Sequence, residues 1–125
     1  MEDYELVIFI ILLFCVAIVV KLQNNVREHN IKRIEMIQKT LKAFGAIEHK
    51  VWIALREPSL ENRLAVSSDL ESVFYLDPSD YHFVMSIEDR DVNEIKVFRD
   101  GLNEKILNYV KLREKLEKRI FGRNI

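Results

Sequence analysis

The hydrophobic pattern begins with a stretch that has no polar face. Leu6 to Val20 reads LVIFIILLFCVAIVV, fifteen apolar residues without a charge, and Leu22 extends the run to 17 if Lys21 snorkels its ammonium outward. A helix apolar all round needs apolar surroundings on every side. The run rises about 26 Å, at the lower edge of what crosses a ~30 Å hydrocarbon core. Residues 6–22 are therefore expected to form a transmembrane helix, with little tilt or with slight thinning of the bilayer. Tyr4 stands where an aromatic anchor meets the headgroups.

Two other readings compete. A cleavable signal peptide has a basic leading region and a small-residue cleavage site, whereas here Glu2, Asp3 and Glu5 lead and the run ends in Val-Val-Lys-Leu-Gln. A buried core helix of this length would have to be wrapped on all sides by a partner of only about 100 residues, the size of one small domain.

Beyond Gln23 the pattern becomes amphipathic. Ile34, Ile37, Leu41, Phe44, Ile47, Val51 and Leu55 recur three or four apart, which predicts a helix from 23 to about 57 continuing out of the apolar run. Pro58 forces its exit, and Gly45 within it marks a place for a bend. Ser59 reads as the N-cap of a helix carrying Leu60, Leu64, Leu70, Val73 and Phe74, with Ser68-Asp-Leu-Glu71 as a capping pattern that restarts it midway. Ser72–Leu76 (SVFYL) is also a strand by propensity, but no second clear strand offers to pair with it, so helix is preferred. Asp77-Pro78-Ser79-Asp80 reads as a helix start: a cap, a proline at the first helical position and an acid at the positive dipole end. A short helix over 81–87 follows. The last helix, expected over 89–121, carries Val92, Ile95, Phe98, Leu102, Ile106, Tyr109, Leu112, Leu116 and Ile120 and ends in basic residues and Gly122.

The expected fold is mostly α: one N-terminal transmembrane helix followed by a small soluble helical domain, a long helical hairpin with short intervening helices. Along the chain this gives an acidic extracytoplasmic head at 1–5, the transmembrane helix at 6–22, a juxtamembrane amphipathic helix at 23–57, and a helical domain at 58–125 packing back on 23–57. The three-four spacing suits a coiled-coil seam but runs over too few heptads to separate internal packing from a homo-oligomer. Composition agrees with helix, since three Gly and two Pro leave few tight turns.

Charge divides the chain more sharply than its net −1 implies. Residues 1–20 hold three acids and no base; 21–56 hold eight bases against three acids; 57–104 hold four bases against twelve acids; 105–125 hold seven bases against two acids. The bases just after the apolar run place the C-terminal domain in the cytoplasm and the head outside, by the positive-inside rule. Cys15, the single cysteine, excludes an intramolecular disulfide and a cysteine zinc site, in keeping with a reducing compartment.

Chemistry-bearing motifs are scarce. His29, His49 and His82 lack metal-ligand spacing, Ser67 and Ser68 lack the glycines of a nucleophile elbow, and the isolated glycines form no phosphate loop. No catalytic, cofactor-binding or metal residue is assigned, and no enzyme is expected. Lys21, Arg27, Lys32 and Arg33 after the span, with Lys115, Lys118, Arg119 and Arg123 in the tail, are candidate lipid-contacting residues, because a hairpin returns the tail toward the bilayer. Two rival readings of the tail, which also holds Lys105, are a solvated face with a Glu114–Lys118 pair and a phosphate-binding stripe; nucleic acid is not expected as a partner. Trp52 is assigned to the core. Phe74, Tyr75, Tyr81 and Phe83 are assigned mostly to the core, forming a contact site if exposed.

These features point to a single-pass membrane-anchored interaction protein, an accessory or assembly subunit of a membrane complex, whose partners are the lipid bilayer, other membrane or cytoplasmic subunits, or further copies of itself. A holin-like, membrane-permeabilising protein ranks second, because the span lacks the Gly, Ser and Thr that let helices approach closely in lipid. A membrane-bound enzyme ranks third.

Overall fold

The computed structural model describes residues 2–121 and is helical almost throughout, with no strand among them. Gly122, expected to end the last helix, and Met1 of the acidic head lie outside the described residues. Helix α1 runs without interruption from Glu2 to Arg56, 55 residues and about 80 Å at 1.5 Å per residue. Its first part is long and apolar enough to cross a membrane. The most apolar eighteen-residue stretch has a mean hydropathy of 2.9, and none of it is buried.

The second part of α1 is the spine of the folded domain. Pro58 ends it two residues after Arg56, and the Asn62 amide nitrogen donates to the Glu57 carbonyl at 2.7 Å, closing the exit. Helix α2 (Leu60–Ser68) starts on the Ser59 hydroxyl, which accepts from the Asn62 backbone N–H. The restart comes one residue later than the capping pattern implied. Asp69 caps α3 (Leu70–Val73) by accepting from the Ser72 N–H, while Ser68 turns its hydroxyl back to the Ala65 carbonyl. Asp69 wins the position because its carboxylate also receives Lys50 from α1 at 3.0 Å. The segment 72–76, ambiguous between helix and strand, is the end of α3 followed by a turn.

Helix α4 (Pro78–Met85) begins as expected, with Asp77 accepting from the Asp80 N–H and Pro78 in the first turn. One 3-10 turn, Ile87–Asp89, takes up part of the acidic run, so α5 begins at Val92 on the Asp91 carboxylate and continues to Phe121.

Helices α1 and α5 are antiparallel. Glu48 meets Arg99, Phe44 meets Tyr109 edge to face with ring centroids 5.7 Å apart, and Ile34 and Ile37 meet Leu116. The core is uneven along this seam. Far from the apolar end, one cluster unites Phe44, Ile47, Val51 and Ala54 of α1 with Val66, Val73, Leu76, Val84 and Ile87 of the short elements and Ile95, Phe98 and Leu102 of α5. Toward the apolar end the cluster among the described residues is smaller: Ile34, Ile37 and Leu116 are buried together, with Leu41, Tyr109, Leu112 and Ile120 packed partly against them. Polar ties follow the same gradient: Lys50–Asp69, Glu48–Arg99, Lys105 to Asp77 and Asp80, and Arg63 donating to the Glu88 and Arg90 carbonyls all sit at the far end.

Candidate functional site

Two surfaces gather chemistry, one at each end of the hairpin. The first lies where α5 returns beside the apolar stretch of α1. Leu22, Gln23, Val26, Arg27 and Asn30 of α1 and Arg119 and Ile120 of α5 line a shallow cleft of about 330 Å³. Of the sequence-derived lipid candidates, the fold brings Arg27 and Arg119 together here. Lys21, Lys32, Arg33, Lys115 and Lys118 are exposed on neighbouring turns outside the cleft, and Arg123 lies outside the described residues. None of these seven described bases pairs with an acid of the described chain. The pair that does form on this part of α5 is Arg113–Glu117 at 3.8 Å, rather than Glu114–Lys118.

Lys105 departs from the rest of the basic tail. It bridges Asp77 at 2.7 Å and Asp80, clamping the start of α4 onto α5. The Lys105 hydrogen bond, then the Asp80 backbone N–H, hold the Asp77 carboxyl below its usual value. Burial alone would lower the Lys105 ammonium, but its two carboxylate partners outweigh that and hold it above the usual lysine value. Asp69 is lowered in the same way, chiefly by its hydrogen bond from Lys50.

The second surface is a groove of about 840 Å³ at the far end, between α4 and the first half of α5. Its floor is apolar: Phe83 and Phe98 stack at 4.6 Å, Val97 is 71% exposed, and Gly101 leaves open space where a side chain would stand. Charged residues close each end. Arg90 lies over the Phe83 ring at 5.0 Å and pairs with Glu94 at one end, and the Lys105–Asp80 contact stands at the other. Periodicity gave no direct sign of this groove, because Val97 falls off the buried stripe of α5. An off-stripe Val followed four residues later by Gly was the available signal.

Comparison with protein-family models, curated proteins and solved structures finds no match for this chain.

The aromatic assignments change in part. Trp52 is on the surface, not in the core: its ring stacks on His49 and lies 5.1 Å beneath the Arg56 guanidinium. The α1 stripe that faces α5 passes through Val51 and Leu55, leaving position 52 on the flank. Phe74 is 70% exposed and stacks on Tyr81, and Tyr75 is also exposed, while Tyr81 and Phe83 pack partly against the main core. Among the described residues no group of three or more His, Cys, Asp or Glu side chains stands close enough to hold a metal ion.

Proposed function

We propose that this protein is a single-pass membrane-anchored interaction protein, an accessory or assembly subunit of a membrane complex, with its helical domain in the cytoplasm. One observation carries the reading: a single unbroken helix is apolar and bare on all sides in its first part and forms the spine of a packed hairpin in its second. Such a helix fixes a folded domain at a set height above a bilayer. The groove between α4 and α5 then stands at the end farthest from the lipid, where a partner can reach it.

The groove suits an apolar helix face laid between charged ends, the arrangement of helix-in-groove recognition. Its surroundings favour a basic partner, because residues 57–104 carry twelve acids against four bases. The basic residues beyond the span support the orientation.

A photocrosslinking side chain at Val97 in native membranes, followed by mass spectrometry of the product, tests this reading. One dominant adduct is expected from position 97 and none from the exposed α3 position Glu71. A protein that stays in the membrane, monomeric and without adducts from 97, would remove the docking role. Dye release from cells on overexpression would favour the membrane-permeabilising alternative.

A further inference from the structure

We infer that the cleft between the end of the apolar run on α1 and the last turn of α5 is a binding site for an anionic phospholipid of the leaflet that α1 enters. The inference rests on the membrane-anchored reading and adds to it the identity of a ligand. Three independent features of the cleft converge on this chemistry.

Its depth is right. Arg27 stands five residues beyond Leu22, a rise of about 7.5 Å past the end of the apolar run. The headgroup zone on one side of a bilayer is roughly 5–7 Å deep, being half the difference between the ~30 Å core and the ~40–45 Å total. Arg27 therefore lies at the outer edge of that zone, with Gln23 and Val26 within it.

Its lining matches a phospholipid in order. Leu22 continues the apolar surface of the span at the level of the upper acyl chain, and Val26 and Ile120 carry an apolar wall on beside the glycerol region. Arg27 and Arg119 approach from different helices, and guanidinium groups are the side chains best suited to grip a phosphate oxygen pair. Gln23 adds an amide donor within the headgroup zone.

Its charge is uncompensated. Residues 21–35 and 111–121 hold nine bases against four acids (Glu28, Glu35, Glu114 and Glu117), and Glu117 already faces Arg113. No ion pair of the described residues neutralises Arg27 or Arg119, in contrast to Lys50, Arg99 and Lys105 at the far end. Phe121, exposed beside Ile120, would enter the same interfacial layer as an apolar anchor.

The test uses full-length protein reconstituted in vesicles of phosphatidylcholine mixed with phosphatidylglycerol, then released in mild detergent for native mass spectrometry. Wild type is expected to retain phosphatidylglycerol in preference to phosphatidylcholine. The exposed-site variant Arg27→Gln/Arg119→Gln should lose on the order of tenfold in that preference. The charge-matched control Lys39→Gln/Lys96→Gln, on exposed sites elsewhere along the two helices, should keep it. A benzophenone at Gln23 provides a second readout that leaves both arginines in place, and it should label phosphatidylglycerol. Equal retention of the two lipids by wild type, or equal loss in both variants, overturns the site. Displacement of the lipid by added inorganic phosphate would show that the cleft takes a free anion instead. Alkaline carbonate washing of the vesicles separates the two ideas: a protein that washes off refutes the membrane anchor, whereas one that stays but shows no lipid preference refutes this cleft alone.

Discussion

Helix α1 contains two regions that share one backbone and differ in everything their side chains require. In the first, from Asp3 through His29, every side chain is exposed, including the whole apolar run. In the second, Ile34, Ile37, Phe44, Ile47, Val51 and Ala54 are buried along one stripe, while Lys39, Lys42 and His49 face outward. Helical dihedrals thus say little about surroundings, and the arrangement of apolar positions says much. A stripe answers to one neighbour; a cylinder answers to a solvent. Soluble monomers rarely leave contiguous apolar patches beyond a few hundred Å² exposed, and a bare apolar helix of 17 residues far exceeds that.

The strongest way to break this comparison is to put charge into the cylinder. Leu12→Arg together with Val16→Arg should cost about 6 kcal/mol of membrane insertion, taking ~3 kcal/mol for each arginine near a span centre. Fractionation should show the protein leaving the membrane, with the unfolding midpoint of the hairpin unchanged, because no side chain of the folded domain covers these positions. If the variant instead stays with the membrane and melts early, the apolar run is packed on protein and the two regions are not distinct.

The stripe should fail in the opposite way. Leu102 is sealed in the large far-end cluster, so Leu102→Ala should lose about 2–5 kcal/mol in urea unfolding while membrane retention is untouched. Ile34→Ala, in the small cluster nearer the apolar run, should cost less, because few buried neighbours surround the space it leaves. Equal losses at the two sites would mean that the hairpin is held as firmly at its base as at its tip.

Much of this architecture was legible in the residues because its causes are local. Pro58 stops α1, Ser59 and Asp77 cap the helices after them, and the three-four spacing of Ile95, Phe98 and Leu102 marks the face of α5 that the core receives. What could not be read depended on distant partners. Lys105 looked like one more cation of a basic tail, and only the fold brings Asp77 and Asp80 beneath it. Asp69 outcompetes Ser68 as a cap partly through Lys50, nineteen residues away. Trp52, expected in the core from its place beside Val51 and away from the membrane boundary, is exposed because the rotation of α1 against α5 leaves position 52 on the flank. At the candidate sites, the basic residues are visible singly in the sequence; that Arg27 and Arg119 line one cleft, and that a groove lies beside Val97, arise from packing.

The Lys105 clamp allows a sharper comparison of tip and base through pH. Asp77→Ala removes both the α4 cap and one arm of the clamp, and should cost about 1–2 kcal/mol, most of it from the cap because the ion pair is partly exposed. Asp77 and Asp69 have lowered folded-state values, so the unfolded chain binds protons more readily than the folded one in acid. Their contribution is complete above the ordinary carboxylate value near 3.8 and is lost as pH falls through the lower folded values. Lys105 acts at the other limit: its contribution is complete below its ordinary value of 10.5 and fades as pH rises through the raised folded value. Circular dichroism melts taken from pH 5 down to about 2 should therefore show a steeper acid loss in wild type than in Asp77→Ala. Parallel curves would show that neither the clamp nor the charged cap contributes through the Asp77 carboxylate.

The smallest expected effect separates packing from docking. Gly45 and Gly101 both lie inside helices, and a methyl group at either would meet nothing within 4 Å. Each Gly→Ala change should therefore raise stability by about 0.5–1 kcal/mol, since alanine loses less backbone freedom on folding. In thermal melts the two variants should be alike. They differ in position: Gly45 is on the exposed side of α1, whereas Gly101 lines the groove between α4 and α5. With a partner helix laid against Val97, the added methyl of Gly101→Ala would stand where that helix approaches, so crosslinking from position 97 should fall even as the protein becomes more stable. Gly45→Ala should gain the same stability and keep the crosslink. A Gly101→Ala variant that crosslinks as well as wild type would mean that whatever meets Val97 does not enter the groove, and would move the contact to the ridge of α5.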